Sequence, residues 1–280
     1  MKRACIGLAA ALLCLAATAH AGQKPQLRAD RVEIAYVKPV NPAHEPIYRT
    51  MQERKVLERV QAYLRPLRLP RVLLVKLAGC DGESNAWYDD TEHTVTVCYE
   101  YLDEVLRNAP EQTTEKGVTR DDAIVGPTIE AFLHEIGHAV FDLLKVPVLG
   151  REEDAADQLA AYLLLQLGKS DARSTVAGVA YMYAQEMNAQ SPGMKHFADV
   201  HGLPAQRFYN LICLAYGADP KLFADALEKR YLPESRADGC ELEYRQVDYA
   251  MKRLILPHVD QKLKNDPARK KMLKRASPAQ

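Results

Sequence analysis

Polar and apolar residues alternate with period two from Arg31 to Val37, which predicts a strand that Pro39 and Pro42 bring to an end. Val56, Leu57, Val60, Leu64 and Leu67 recur at helical spacing, so 46–67 is expected to be an amphipathic helix. The run Val72–Leu77 is nearly continuous in Leu and Val, as in a strand covered on both faces. From Cys80 to Tyr99, two short β-prone runs flank Asp89-Asp90-Thr91-Glu92 and read as a hairpin, with Trp87 in its first strand. Helical periodicity dominates afterwards: 101–108, then a polar loop over 108–117, then a long helix over 126–145 with Pro127 suited to its first turn. The next helix, 151–167, begins acidic, as the helix dipole favours. Further helices are expected near 172–189, 204–216, 220–231 and 241–264, the last bent or ended at Pro257. Strands first and helices after predict an α+β fold: a compact domain with a small N-terminal sheet and hairpin, followed by a mostly helical C-terminal part.

The ends of the chain read differently. Met1-Lys2-Arg3, the apolar run Ala4–Thr18 and Ala19-His20-Ala21 have the layout of a secretory signal peptide over 1–21, too short to span a bilayer. Residues 22–30 form a polar leader, 31–265 the folded domain, and 266–280 a basic tail expected to be flexible. No later stretch is apolar enough to cross a membrane, so a periplasmic or secreted product is expected. The 37 basic and 37 acidic residues balance, and the segment 1–21 takes Lys2 and Arg3 with it. A nucleic-acid partner is therefore not expected. Outside that segment the cysteines are Cys80, Cys98, Cys213 and Cys240. In an oxidising compartment an even number suggests two disulfides, and proximity along the chain favours Cys80–Cys98 and Cys213–Cys240.

The chemistry concentrates in Ala131–Phe141, where His134-Glu135-Ile136-Gly137-His138 lies in an apolar, helix-length run. Residues four apart share a helix face, so His134 and His138 can present two imidazoles to one ion, with Glu135 beside it as a base. The chain has only 8 histidines, and these two fall in helical register. A catalytic zinc usually takes three protein ligands, and the acidic start of the following helix can supply the third. Glu153 and Asp157 lie four apart, so one carboxylate could bind zinc while the other holds a ligand histidine by its second ring nitrogen; Glu152, offset by one, is the rival ligand.

The combination His134-Glu135-x-x-His138 with Glu153-x-x-x-Asp157 resembles the pattern of gluzincin metallopeptidases, and Asn85-Ala86-Trp87-Tyr88 resembles their substrate-binding edge strand. Over about 31–258 the chain is similar to a bacterial family of secreted metallopeptidase-like proteins of unknown substrate. It shares with them the Cys-Tyr-Glu after the hairpin and a segment like His201–Asn210. The resemblance implies a zincin-like fold, Glu153 as ligand, Asp157 behind a ligand histidine, and substrate along Asn85, Ala86 and Trp87. The resemblance leaves the oxyanion stabiliser open: His201 is the best candidate and Tyr209 and Tyr183 weaker ones, whereas His44 and His196 are expected at the surface.

The expected activity is hydrolysis of a peptide or protein substrate by zinc-activated water, with Glu135 as general base. Two alternatives stay open on sequence: a non-catalytic zinc protein of the envelope that binds peptide or protein partners, and a zinc hydrolase of a non-peptide amide.

Overall fold

The computed structural model describes residues 26–189 and 192–273. The expected signal segment, residues 22–25 of the leader and residues 274–280 of the tail lie outside the described residues.

Four strands form one sheet in the order β1 (Val32–Tyr36), β2 (Leu73–Ala78), β4 (Thr94–Cys98), β3 (Ala86–Asp89). β1 and β4 both run parallel to β2, with Ile34 opposite Val75 and Lys76 opposite Thr96. A parallel neighbour needs a crossover, and helices α1 (Glu45–Glu53) and α2 (Val56–Leu64) provide it between β1 and β2. β3 runs antiparallel to β4 at the sheet edge. Leu73, Val75, Leu77, Val95 and Val97 are fully buried, in keeping with the continuous apolar pattern of the two central strands.

Helix α3 (Tyr99–Asn108) leads to α4 (Arg120–Leu144), α5 (Glu152–Leu165), α6 (Lys169–Ala189), the single turn α7 (Met194–Phe197) and α8 (Pro204–Ala218). Short helices α9 (Asp225–Glu228) and α10 (Glu234–Ala237) precede α11 (Cys240–Ala250). One core joins the sheet to α4, α5, α6 and α8. The α+β architecture is thus as expected, and both disulfides form as expected, Cys80–Cys98 beneath the hairpin and Cys213–Cys240 between α8 and α11. No helix among the described residues is long and apolar enough to cross a membrane.

Several elements depart from the sequence pattern. The helix expected over 46–67 is two, broken at Lys55 with a left-handed φ of 51°; the Tyr36 hydroxyl accepts from the Leu57 amide and so caps the second. α4 begins at Arg120, ahead of the expected 126, because Thr119 and Asp122 form a reciprocal capping box. Pro127 therefore lies inside the helix, where its missing N–H costs one backbone hydrogen bond. The helix expected over 220–231 shrinks to α9. Beyond α11, a π turn over Met251–Ile255 and a 3-10 turn over Leu256–His258 carry the chain past Pro257 to α12 (Gln261–Lys264). The tail is not free throughout: α13 (Pro267–Leu273) packs on α2, with Arg269 donating to the carbonyl oxygens of Ala62 and Tyr63 at 2.7 and 3.0 Å. Those carbonyls lie in the last turn of α2, where a guanidinium satisfies them.

Two close helix contacts position α4. Gly126 meets α6 so tightly that a Cβ there would lie 2.6 Å from the Thr175 carbonyl oxygen. Gly137 meets Ala156 of α5, and a Cβ would approach its Cα to 3.2 Å. The second contact lies between His134 and His138 and brings the acidic start of α5 against both.

Candidate metal centre

Three side-chain atoms converge where α4 and α5 meet. The His134 Nε2 and His138 Nε2 atoms are 3.2 Å apart, and the Glu153 Oε2 atom lies 3.1 Å from the first and 3.3 Å from the second. The helical register places the histidines one turn apart on one face, and Glu153, in the first turn of α5, completes the triangle.

The far ring nitrogens are also held. His134 Nδ1 lies 2.8 Å from Asp157 Oδ1, and His138 Nδ1 lies 2.8 Å from Glu152 Oε1. A carboxylate accepts, so each Nδ1 carries hydrogen and donates. In the neutral rings both Nε2 lone pairs then face each other beside a third acceptor, Glu153. Such a cluster is unfavourable for the protein alone and suited to a cation. A tetrahedral zinc with bonds of about 2.0–2.1 Å places its ligand atoms about 3.3 Å apart, so these donors fit in both chemistry and spacing.

Without a cation, protons relieve the cluster. Burial disfavours charge on His134, but hydrogen bonds to Asp157 and Glu153 outweigh it and hold the ring up to about 10. His138 is raised as well: burial opposes this, and Glu153 and Glu152 prevail. Hydrogen bonds from His134, His138 and His201 hold the Glu153 carboxyl far below the usual range. Glu135 moves the other way. It is 8% exposed, and burial raises its carboxyl despite the two neighbouring histidines.

Behind His134 lies a buried polar network. Arg207 of α8 donates from Nε to Asp157 Oδ2 at 2.8 Å and from Nη2 to Asp157 Oδ1 at 2.6 Å. Its Nη2 also lies 3.5 Å from Glu130 Oε1, which accepts from the Tyr183 hydroxyl at 2.8 Å. The guanidinium stands 4.6 Å from the centre of the Tyr183 ring. Burial would lift Asp157, but the bonds from His134 and Arg207 bring it down to about 2. Four helices, α4, α5, α6 and α8, are joined through this network to one imidazole.

The structure brings together His134, Glu135, His138, Glu153 and Asp157 as the motif suggested, and it separates the two neighbouring glutamates. Glu153 faces the Nε2 side and Glu152 holds the opposite nitrogen of His138. His201 approaches from the exposed side, with Nε2 3.0 Å from Glu153 Oε2 and Nδ1 3.2 Å from Asp199 Oδ1. Two expectations fail. Tyr183 is buried, and its hydroxyl is committed to Glu130 behind the histidines, so it cannot reach a substrate. His44 is buried against Tyr99, their ring centres 6.1 Å apart, whereas His196 is exposed as expected. Tyr209 lies partly exposed on α8.

The hairpin reaches α4 near this cluster. Asn85 precedes β3, its Oδ1 accepting from the Ala86 amide at 2.8 Å. Ala86 is half-buried and Trp87 is 38% exposed. The Tyr88 hydroxyl donates to Asp142 Oδ2 at 2.8 Å, one turn beyond His138. Sequence reasoning missed Arg207, Glu130 and Asp142; helical register offered a signal for two of them, Glu130 lying four residues before His134 and Asp142 four residues after His138, hence on the same face.

Together these features define an α+β protein with a cluster of candidate metal ligands built by two adjoining helices. The chain belongs to the family described as "Putative metallopeptidase", whose model matches residues 36–255. No curated protein and no solved structure matches it.

Proposed function

We propose that this protein is a secreted zinc metallopeptidase that hydrolyses peptide bonds in an extended peptide or protein substrate. The observation that carries this reading is the convergence of His134 Nε2, His138 Nε2 and Glu153 Oε2, with the opposite ring nitrogens held by Asp157 and Glu152. These three atoms would hold the zinc. When bound there, zinc lowers the pKa of its water toward about 7 and polarises a carbonyl oxygen.

The remaining work falls to side chains of this chain. Glu135 takes the proton of the attacking water and passes it to the leaving amine; its burial raises its proton affinity toward what a base working near neutrality needs. His201 offers a ring nitrogen from the exposed side to the charge that develops on the carbonyl oxygen. An extended substrate lies along Asn85, Ala86 and Trp87, adding its main chain to the free edge of the sheet. Two disulfides support a site of action in an oxidising compartment.

The test is cleavage of a peptide library by the zinc-loaded protein, stopped by a chelator and restored by zinc, with about one zinc per chain by elemental analysis. A zinc-loaded protein that cleaves no peptide overturns the proposal.

A further inference from the structure

The edge strand is only four residues long and, among the described residues, has a single hydrogen-bonding neighbour, β4. Its backbone alternates in what it exposes. Cys98 donates its amide to the Asn85 carbonyl at 3.1 Å, which makes Asn85 and Cys98 a hydrogen-bonded pair. In an antiparallel ladder such pairs alternate with open ones. Given the register of Ala86 with Val97 and of Tyr88 with Val95, Trp87 bonds inward to Thr96, while Ala86 and Tyr88 turn their main-chain groups outward. The Ala86 amide is already taken by the Asn85 side chain. The groups left for an incoming chain are therefore the Ala86 carbonyl and both main-chain groups of Tyr88.

Such a strand serves a substrate only if it stands at a fixed distance from the ligand helix. At its base it is fixed by the Cys80–Cys98 disulfide and by the Asn85–Cys98 bond. At its other end the side chain of Tyr88 reaches α4, where Asp142 Oδ2 accepts its hydroxyl at 2.8 Å. Asp142 lies four residues after His138 and eight after His134, on the stripe that carries both ligands. His93, in the hairpin turn, brings Nδ1 to 3.1 Å from the same hydroxyl, and Lys145 donates to the other oxygen of Asp142 at 2.8 Å.

From this geometry we infer that Tyr88 is a positioning residue: its hydroxyl, bonded to Asp142, sets the spacing between the substrate strand and the ligand helix. Its own main-chain groups then stand at a defined distance from the helix that carries the two histidines. The inference rests on the peptidase reading above for its consequence, but not for the bond itself.

The test compares Tyr88→Phe, Asp142→Ala and Asp142→Asn, each loaded with zinc, with the parent. Tyr88→Phe keeps the ring and removes the bond. The amides paired between Trp87 and Thr96 should exchange with solvent about fivefold faster, the factor that one ordinary hydrogen bond is worth. The emission of Trp87, the single tryptophan of the chain, should shift with it. For a cleaved peptide, KM should rise about fivefold, with kcat and zinc content unchanged. Asp142→Ala should match Tyr88→Phe, and Asp142→Asn, which still offers an acceptor oxygen, should restore most of the parent behaviour. Unchanged exchange in Tyr88→Phe overturns the inference, as does a fall in kcat at constant KM. Exchange is read without substrate, so a protein that cleaves no peptide removes the function proposed above and leaves exchange to decide whether Tyr88 holds the strand.

Discussion

Arg207 grips Asp157 with two near-parallel hydrogen bonds, at 2.8 and 2.6 Å, and Asp157 in turn holds the far nitrogen of His134. The fork of a guanidinium fits a carboxylate in a way that an ammonium cannot. Arg207→Lys should therefore fold but lose about tenfold in zinc affinity, the lower end of what partners behind a metal ligand are worth. Competition with a chelator of known affinity checks it. Arg207→Ala leaves Asp157 and Glu130 without their cation, and chemical unfolding should show a loss of about 3 kcal/mol or more.

Glu152 and Glu153 are neighbours in sequence and face different nitrogens of His138. Removing Glu153 takes away one of three converging donors, so Glu153→Ala should not retain zinc through dialysis. Removing Glu152 frees only Nδ1 of His138, so Glu152→Ala should keep zinc with affinity lowered about tenfold. Elemental analysis of the two dialysed variants reads the difference, and the opposite order would exchange their roles.

How far the sequence foretold this centre follows from the distances over which its parts are joined. His134 and His138 were legible because one helix turn sets their relation. Helix geometry alone left Glu153 and Glu152 as rivals, because one residue turns a helix face by about 100°, and the resemblance favoured Glu153; the packing of α5 on α4, with Gly137 against Ala156, sets the rotation that separates them. Arg207 stood in the sequence only as a member of the segment His201–Asn210, with no sign of its partner: it comes 50 residues after Asp157, and the approach of α8 depends on the packing of the whole bundle. The strands and the hairpin were legible from their alternation. The true start of α4 was not, because Pro127 suits a helix first turn as well as the capping box at Thr119 and Asp122 does. His44 was misplaced because its burial depends on how the segment before α1 packs against Tyr99, well apart from it in sequence.

The metal-free protein should lose stability in acid partly through Asp157. Its carboxyl, held at about 2 in the folded protein, has an ordinary value of about 3.9 when unfolded. The folded state binds that proton less tightly, so the stabilising contribution is complete above about pH 4 and is lost as the pH falls toward 2, up to about 2–3 kcal/mol. His134, raised to about 10, stays charged throughout that range and adds no slope. Urea unfolding of chelator-treated protein and of Asp157→Asn should therefore differ most above about pH 4 and converge below it. A difference independent of pH would remove Asp157 as the source.

Glu135 tests the chemistry apart from the site's assembly. It lies beside His134 and His138 without belonging to the converging set, and burial raises its carboxyl. Glu135→Gln preserves size and removes only the capacity to take a proton. Zinc content and the unfolding midpoint should stay at the parent values, because none of the three donors or their carboxylate partners changes. Peptide cleavage should fall by about 100-fold to 10,000-fold in kcat, the usual contribution of a positioned general base. KM should change little, since the edge strand proposed to receive the substrate is untouched. A variant with parent-like kcat would reject Glu135 as the base, and one that lost zinc would show that the carboxylate helps to hold the metal centre together.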